Sequence, residues 1–195
     1  MAATGILGLQ GDYALHLAML EKLGAEGKIV RTLEEINSCS ALIIPGGEST
    51  TMLRLLKRFN MLDGLKKLIK EGMPVFGTCA GAILLASKIS NYPGQTHLDA
   101  LDITVERNAY GRQVESFEAD IEADLGNMGR HTIRAVFIRA PKITETQEGV
   151  ESLAFFENTP VLVKKGPVLA ATFHPELTDD TSIHKYFLQE VAGLL

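Results

Sequence analysis

The sequence predicts an α/β fold, a three-layer, open, mostly parallel sheet with helices on both faces and additional antiparallel strands. Three observations predict it. Short, continuously apolar runs alternate with amphipathic segments of helical spacing through the first half, the pattern of βαβ units whose strands are covered on both faces. The second half switches to polar–apolar alternation, the pattern of half-exposed strands. The 195 residues, 46% hydrophobic and 22% charged, have the balance of an ordinary globular domain. A chain of this length buries about 70% of its unfolded surface and needs no disulfide or metal staple. We therefore expect one domain over 1–195.

Taken in order, residues 4–10 (TGILGLQ) read as a buried strand, and residues 13–23 as a helix with Leu15, Ala18, Met19 and Leu23 at helical spacing. Residues 28–32 form a second strand and residues 41–45 (ALIIP) a third. Helices are expected over 49–59 and 63–71, with Ser49 as N-cap and Gly72-Met73-Pro74 as stop signal. Residues 74–79 read as the fourth strand, leading into a small-residue helix that begins at Ala80. Residues 101–107 (LDITVER), 116–123 (SFEADIEA) and 131–138 (HTIRAVFI) alternate as strands. Residues 161–164 and 168–173 form a hairpin around Lys165-Gly166-Pro167, and residues 181–194 close the chain as an amphipathic helix. There is no internal repeat, low-complexity tract or interdomain linker.

Charge and cysteine content exclude several functions. The net charge of −5, without a long Lys/Arg cluster, argues against nucleic acid or an anionic membrane as partner. Lys66-Lys67-Leu68-Ile69-Lys70 reads as the wet face of an amphipathic helix. No apolar stretch approaches the length of a membrane span, and no basic leader precedes the first strand. Two cysteines, Cys39 and Cys79, make neither a disulfide framework nor a zinc site, so a reducing cytoplasm is expected.

Gly77-Thr78-Cys79-Ala80-Gly81 carries the most chemistry. A nucleophile at the centre of Gly-x-Cys-x-Gly between strand and helix is the thiol form of the nucleophile elbow. The flanking glycines keep Cβ atoms from crowding a side chain held on a strained turn. The helix start at Ala80 turns free N–H groups toward the sulfur and favours the thiolate. Without those neighbours, Cys79 would read as a small buried hydrophobe, the usual fate of a free cysteine.

A thiolate needs a proton carrier, and the carrier needs an orienting group. His16, His97, His131 and His184 each read more simply as surface or capping residues. His174 differs, because Phe173-His174-Pro175-Glu176 follows a buried strand, and residues i and i+2 of an extended chain project to one side. Glu176 can then accept from one imidazole nitrogen while the other faces the sulfur. Alone this tripeptide also fits an ordinary strand end. The third feature, Pro45-Gly46-Gly47-Glu48-Ser49-Thr50, reads either as a tight turn and cap or as a backbone oxyanion hole at Gly46 and Gly47. A Gly–Gly peptide can also flip, which lets such a hole form on demand. All three features fall at the carboxyl ends of parallel strands, where open sheets collect their ligands.

With these residues in view, the chain resembles the triad-type (class I) glutamine amidotransferases and, within them, the family of glutaminase subunits of pyridoxal 5′-phosphate synthases. The resemblance spans essentially the whole chain, through GLQGD at 8–12, PGGEST at 45–50, GTCAG at 77–81, VERNAYGRQVESFE at 105–118, VFIRAP at 136–141 and FHPEL at 173–177. Ala109 and Tyr110 stand where the family pattern has Ser and Phe. The resemblance implies a flavodoxin-like sheet, a catalytic triad of Cys79, His174 and Glu176, and a γ-glutamyl thioester formed from L-glutamine. It implies substrate contacts at Gln10, Gly46, Gly47, Glu48, Ser49, Ala80, Arg107, Ile138 and Arg139, with no cofactor and no metal. It further implies a (β/α)8-barrel synthase partner, several glutaminases around a ring-shaped core, with Gln10-Gly11 and the following helix as the contact surface. From the residues alone, Arg107 and Arg139 also fit solvated strand-end charges. A glutaminase serving another acceptor, a non-catalytic binding module of the same fold and a thiol hydrolase acting on peptides remain as alternatives.

Overall fold

The computed structural model describes residues 3–109 and 116–195. Residues 110–115, in the middle of the 105–118 motif and including Tyr110, lie outside the described residues, as do residues 1 and 2. In chain order the elements are β1 (Thr4–Leu7), α1 (Tyr13–Lys22), β2 (Gly27–Val30), α2 (Leu33–Asn37), β3 (Ala41–Ile44), α3 (Ser49–Arg58), α4 (Leu62–Lys70), β4 (Val75–Thr78) and α5 (Ala80–Leu85). They continue as β5 (Ala86–Ile89), β6 (Leu101–Glu106), β7 (Ser116–Asp124), β8 (Arg130–Ile138), β9 (Lys142–Thr146), β10 (Glu151–Phe156), β11 (Thr159–Lys165), β12 (Val168–Ala171) and α6 (Ser182–Tyr186).

Among the described residues nine strands form one sheet in the order β2-β1-β3-β4-β12-β11-β10-β7-β8, and β5-β6-β9 form a small second sheet. The first five of the nine are parallel, and their order is the 2-1-3-4-5 of flavodoxin-like folds. The remaining four extend the sheet antiparallel. Alternation along the central strands divides the core between two faces. Leu42 and Ile44 of β3, Val75 of β4 and Val168 of β12 pack with α2, α3, α4 and α5 on one side. Ala41 and Ile43, Phe76 and Leu169 pack with α1 and α6 on the other. These strands are therefore apolar at every position, as the sequence has them.

The antiparallel part curls. Bulges in β10 against β11 bend the sheet, and the far strand β8 returns to the segment after β12, where the His174 N–H donates to Val136 O at 2.8 Å. This closure brings the end of β8 to the rim formed by the parallel strands.

Several elements differ from the sequence expectation. Helix α2 was not expected, although Thr32 and Glu35 form a full capping box around its start. The N-cap of α3 is Glu48 and not Ser49, because the Glu48 carboxylate accepts from the N–H groups of Thr50 and Thr51. Helix α5 ends at Leu85 and passes directly into β5. Strands β9 and β10 were also not expected. The closing helix is α-helical only to Tyr186 and widens into a π-helical turn over Phe187–Val191. No helix of the described residues is long and apolar enough to cross a membrane.

Candidate active site

Cys79 follows β4 with φ 46° and ψ −100°, a strained conformation for a residue with a Cβ. The elbow's glycines make it possible, but not by clearing space around the sulfur. A Cβ on Gly81 would lie 2.2 Å from the Ile44 carbonyl oxygen, and one on Gly77 would lie 2.7 Å from the Gly81 carbonyl carbon. They let the first turn of α5 press against β3 and β4, which fixes where the nucleophile stands.

His174 lies just beyond β12, its ring 4% accessible as a residue and its Nδ1 2.7 Å from Glu176 Oε1. The sequence argument paired them by strand alternation, whereas Pro175–Leu177 is a turn of 3-10 helix. Pro175 opens that turn with its φ preset and no N–H to satisfy. Cys79 and His174 line one pocket, and the sulfur is near enough to act on the ring's protonation. Burial alone would lower the imidazole pKa, but the Cys79 and Glu176 hydrogen bonds and charges outweigh it and raise it to about 10. At neutral pH the ring therefore carries its proton. The Cys79 sulfur lies 3.9 Å from Ile138 O.

A cavity of about 280 Å³ opens over Cys79 and His174. Gly47, Glu48, Ser49, Ile138, Arg139, Gln10 and Arg107 line it. Gly46 is not on the wall. It lies behind His174, and a Cβ there would come within 2.3 Å of His174 Cε1. Ala80, 1% exposed at the start of α5, also lies outside the lining. Gln10 Oε1 accepts the Glu48 backbone N–H at 2.8 Å. Arg107 is held rather than free, stacked 4.5 Å over the Tyr92 ring and bonded to Glu48 Oε1 at 3.3 Å and Thr50 Oγ1 at 3.2 Å. Glu48 keeps its carboxyl below the usual range, since the Thr51 and Thr50 hydrogen bonds overcome a burial that would raise it.

The architecture and this pocket can be set against known proteins. The profile of the SNO glutamine amidotransferase family matches residues 6–193. The chain belongs to the SNO glutamine amidotransferase family. Pyridoxal 5′-phosphate synthase subunit PdxT of Thermotoga neapolitana is 57% identical over 187 residues, covering 96% of this chain and 98% of that protein. The protein of the same name from Kosmotoga olearia is 53% identical over 189 residues, 97% of each chain. A crystal structure described as a glutamine amidotransferase superposes with a TM-score of 0.91 at 50% identity, covering 97% of this chain and 98% of the other. This SNO amidotransferase is thus an enzyme of the glutaminase type.

Sequence reasoning placed nine of its twelve residues on the pocket wall, with Glu176, Gly46 and Ala80 just behind it. It missed Asp12, Ile83 and Asn108, which also line the pocket. Asp12 brings a carboxylate oxygen within 4.8 Å of ligand atoms of His174 and Glu176. It also misjudged His16 and His184. Both are fully buried and neither is a surface or capping residue. The signal was present at helical spacing, where His16 shares a face with Met19 and Leu20 and His184 with Phe187 and Leu188, all of them buried.

Proposed function

We propose that Cys79, His174 and Glu176 are the catalytic triad of a glutaminase that hydrolyses L-glutamine and passes the ammonia to a pyridoxal 5′-phosphate synthase subunit. The observation that carries this reading is that Cys79 and His174 line one open pocket while the His174 ring is tied to Glu176 Oε1 at 2.7 Å. With the proton on His174, the sulfur attacks the carboxamide carbon as a thiolate. His174 then gives that proton to the departing nitrogen as the C–N bond breaks, leaving ammonia and a γ-glutamyl thioester. Water attacks the thioester, His174 takes its proton, and the C–S bond breaks to release L-glutamate. Glu176 holds the imidazole in the orientation and charge state each half requires. Glu48 suits the substrate's α-ammonium. Arg107, Arg139 or a backbone donor beside Ile138 suits its α-carboxylate.

Ammonia must stay unprotonated to attack an imine or carbonyl, so a dry passage into a partner is part of the reading. The relatives' name, pyridoxal 5′-phosphate synthase subunit, supports the acceptor. We take that acceptor as a (β/α)8 barrel, with several glutaminases around a ring-shaped core. We take Gln10-Gly11 and α1 as the docking face, where Leu15 stays 40% exposed and Leu177 38%. Residues 1–195 are read as one domain, and two unpaired thiols suit a reducing cytoplasm.

Cys79→Ala tests the assignment. In the complex with its synthase, glutamine-dependent pyridoxal 5′-phosphate formation should fall about 10⁴-fold or more, as for other triad nucleophiles. Added ammonium salt should still feed the synthase. Equal failure with both nitrogen sources would overturn the role of ammonia donor.

A further inference from the structure

Behind the triad lies a run of buried polar groups that the reaction scheme above does not use. His16 on α1 and His184 on α6 are both 0% exposed and meet with His16 Nδ1 2.8 Å from His184 Nε2. The other nitrogen of His16, Nε2, lies 3.2 Å from Thr78 Oγ1 and 3.5 Å from Glu176 Oε2. Thr78 is the residue before the nucleophile. Glu176 Oε2 is buried and has no hydrogen-bond partner among the described residues, and the same holds for His184 Nδ1. One imidazole thus touches both segments that carry the triad.

The proton positions follow from what each arrangement would leave unmet. If His16 were protonated on Nδ1, its Nε2 lone pair would face the Glu176 carboxylate, and His184 would be left with a buried N–H on Nδ1 and no acceptor. The Thr78 hydroxyl can satisfy that lone pair, but the buried N–H on His184 has no acceptor and its orphaning is costly. In the opposite arrangement His184 Nε2–H donates to His16 Nδ1, and His16 Nε2–H points at Thr78 Oγ1 and Glu176 Oε2. Only a lone pair on His184 Nδ1 is then unpartnered. Burial, with His184 and His174 nearby, holds His16 well below the usual imidazole range. Burial holds His184 at about 3 despite Asp180. Two neutral rings in series therefore present a fixed N–H to the carboxylate.

We propose that His16 is a positioning residue for the triad, holding the second oxygen of Glu176 through a tautomer that His184 fixes. The proposal rests on the triad reading given above. Its effect is greatest after His174 has handed its proton to the leaving ammonia. Until then the buried carboxylate faces an imidazolium. Afterwards it faces a neutral ring whose Nδ1–H still donates to Oε1, and the N–H of His16 is the donor aimed at Oε2. A small movement from 3.5 Å to about 2.9 Å makes that contact a full hydrogen bond. The other ionisable groups around Glu176 are His174 on its own segment, Asp12 before α1 and Cys79 across the pocket.

The test compares His16→Gln with His16→Asn in the full chain assembled with its synthase subunit, reading kcat and KM for glutamine. Glutamine carries its amide N–H out to the place of Nε2, and asparagine stops at the place of Nδ1. His16→Asn should lower kcat roughly 10- to 100-fold, the size of one hydrogen bond to a charged group, with KM within about twofold. His16→Gln should recover to within about threefold of the parent. Equal losses in both variants, or none in either, would overturn the proposal. Nitrogen-15 spectra of the unmodified chain read the tautomer directly, whatever the variants' folding. His16 protonated on Nε2 supports the proposal, and protonation on Nδ1 sinks it. Cys79→Ala and Glu176→Gln are measured alongside. If these retain activity, the triad reading has failed, whereas their loss beside normal His16 variants isolates the failure to this inference.

Discussion

A methyl group added at Gly46 would lie 2.3 Å from Cε1 of His174 and 2.9 Å from its Nδ1, on a ring that cannot retreat without stretching the bond to Glu176. Gly46→Ala should therefore leave the chain folded and displace the imidazole. A misplacement of this size costs on the order of 10²-fold in turnover. Glutamine-dependent ammonia release measured beside a thermal melt checks it, and an active Gly46→Ala would show that the ring is not wedged as described. At this scale the sequence revealed residue identity better than residue purpose. Gly77 and Gly81 suggest a clear space around the sulfur, and Gly46 and Gly47 suggest a backbone oxyanion hole, a role that side-chain sterics do not address. In the structure Gly46 makes room for an imidazole, and Gly77 and Gly81 make room for a helix. Such contacts join residues far apart in the chain, and nothing in the local pattern of small residues says which distant group will fill the space.

Among the elements, α3 depends on a side chain that also belongs to the pocket. Glu48 accepts the Thr50 and Thr51 N–H groups at 3.1 and 2.7 Å and the Thr51 hydroxyl at 2.8 Å while its Oε1 faces Arg107. Glu48→Ala should cost about 1 kcal/mol of stability, the usual value of an N-cap. It should also raise KM for glutamine. Glu48→Asp keeps a capping carboxylate on a shorter reach, so it should spare the melting temperature while still weakening the contact with Arg107. Equal melting temperatures for Glu48→Ala and the parent would remove the capping role. The parallel strands were legible because residues covered on both faces must be apolar throughout. Helix α2 was legible too, since Thr32-Leu33-Glu34-Glu35 has the Thr-x-x-Glu of a capping box, and it was overlooked. Strands β9 and β10 were harder. Each buries a single residue, Ile143 in β9 and Ala154 in β10, too little for a period-two reading. Helix α5 gave no hint of its early end, because the change to β5 at Ala86 is made by pairing with Leu101 and not by any breaker residue.

Over the whole molecule, three buried histidines bind protons in opposite ways, and their sum sets the pH range in which the fold is stable. His174 has its folded pKa raised from 6.5 to about 10. Its stabilisation is complete below pH 6.5 and is lost as pH rises from there through 10. His16 and His184 are held below 6.5, His184 at about 3. Their sites favour the neutral ring, so that stability is complete above pH 6.5 and is lost as pH falls toward 3. Glu35, Glu48 and Asp179 are also lowered, but they are largely solvent-exposed and add only weakly to the acid side. The melting temperature should therefore pass through a maximum near neutrality, with acid and alkaline limbs of different origin. Part of the alkaline limb comes from the Cys79 sulfur that helps keep His174 protonated, so Cys79→Ala should make that limb shallower and leave the acid limb in place. Calorimetric melts of the parent and Cys79→Ala from pH 4 to pH 10 would separate the two. A melting temperature that climbs steadily from pH 6.5 to 9, or an alkaline limb identical in both proteins, would mean that the proton on His174 is not held by the sulfur and carboxylate on either side of it.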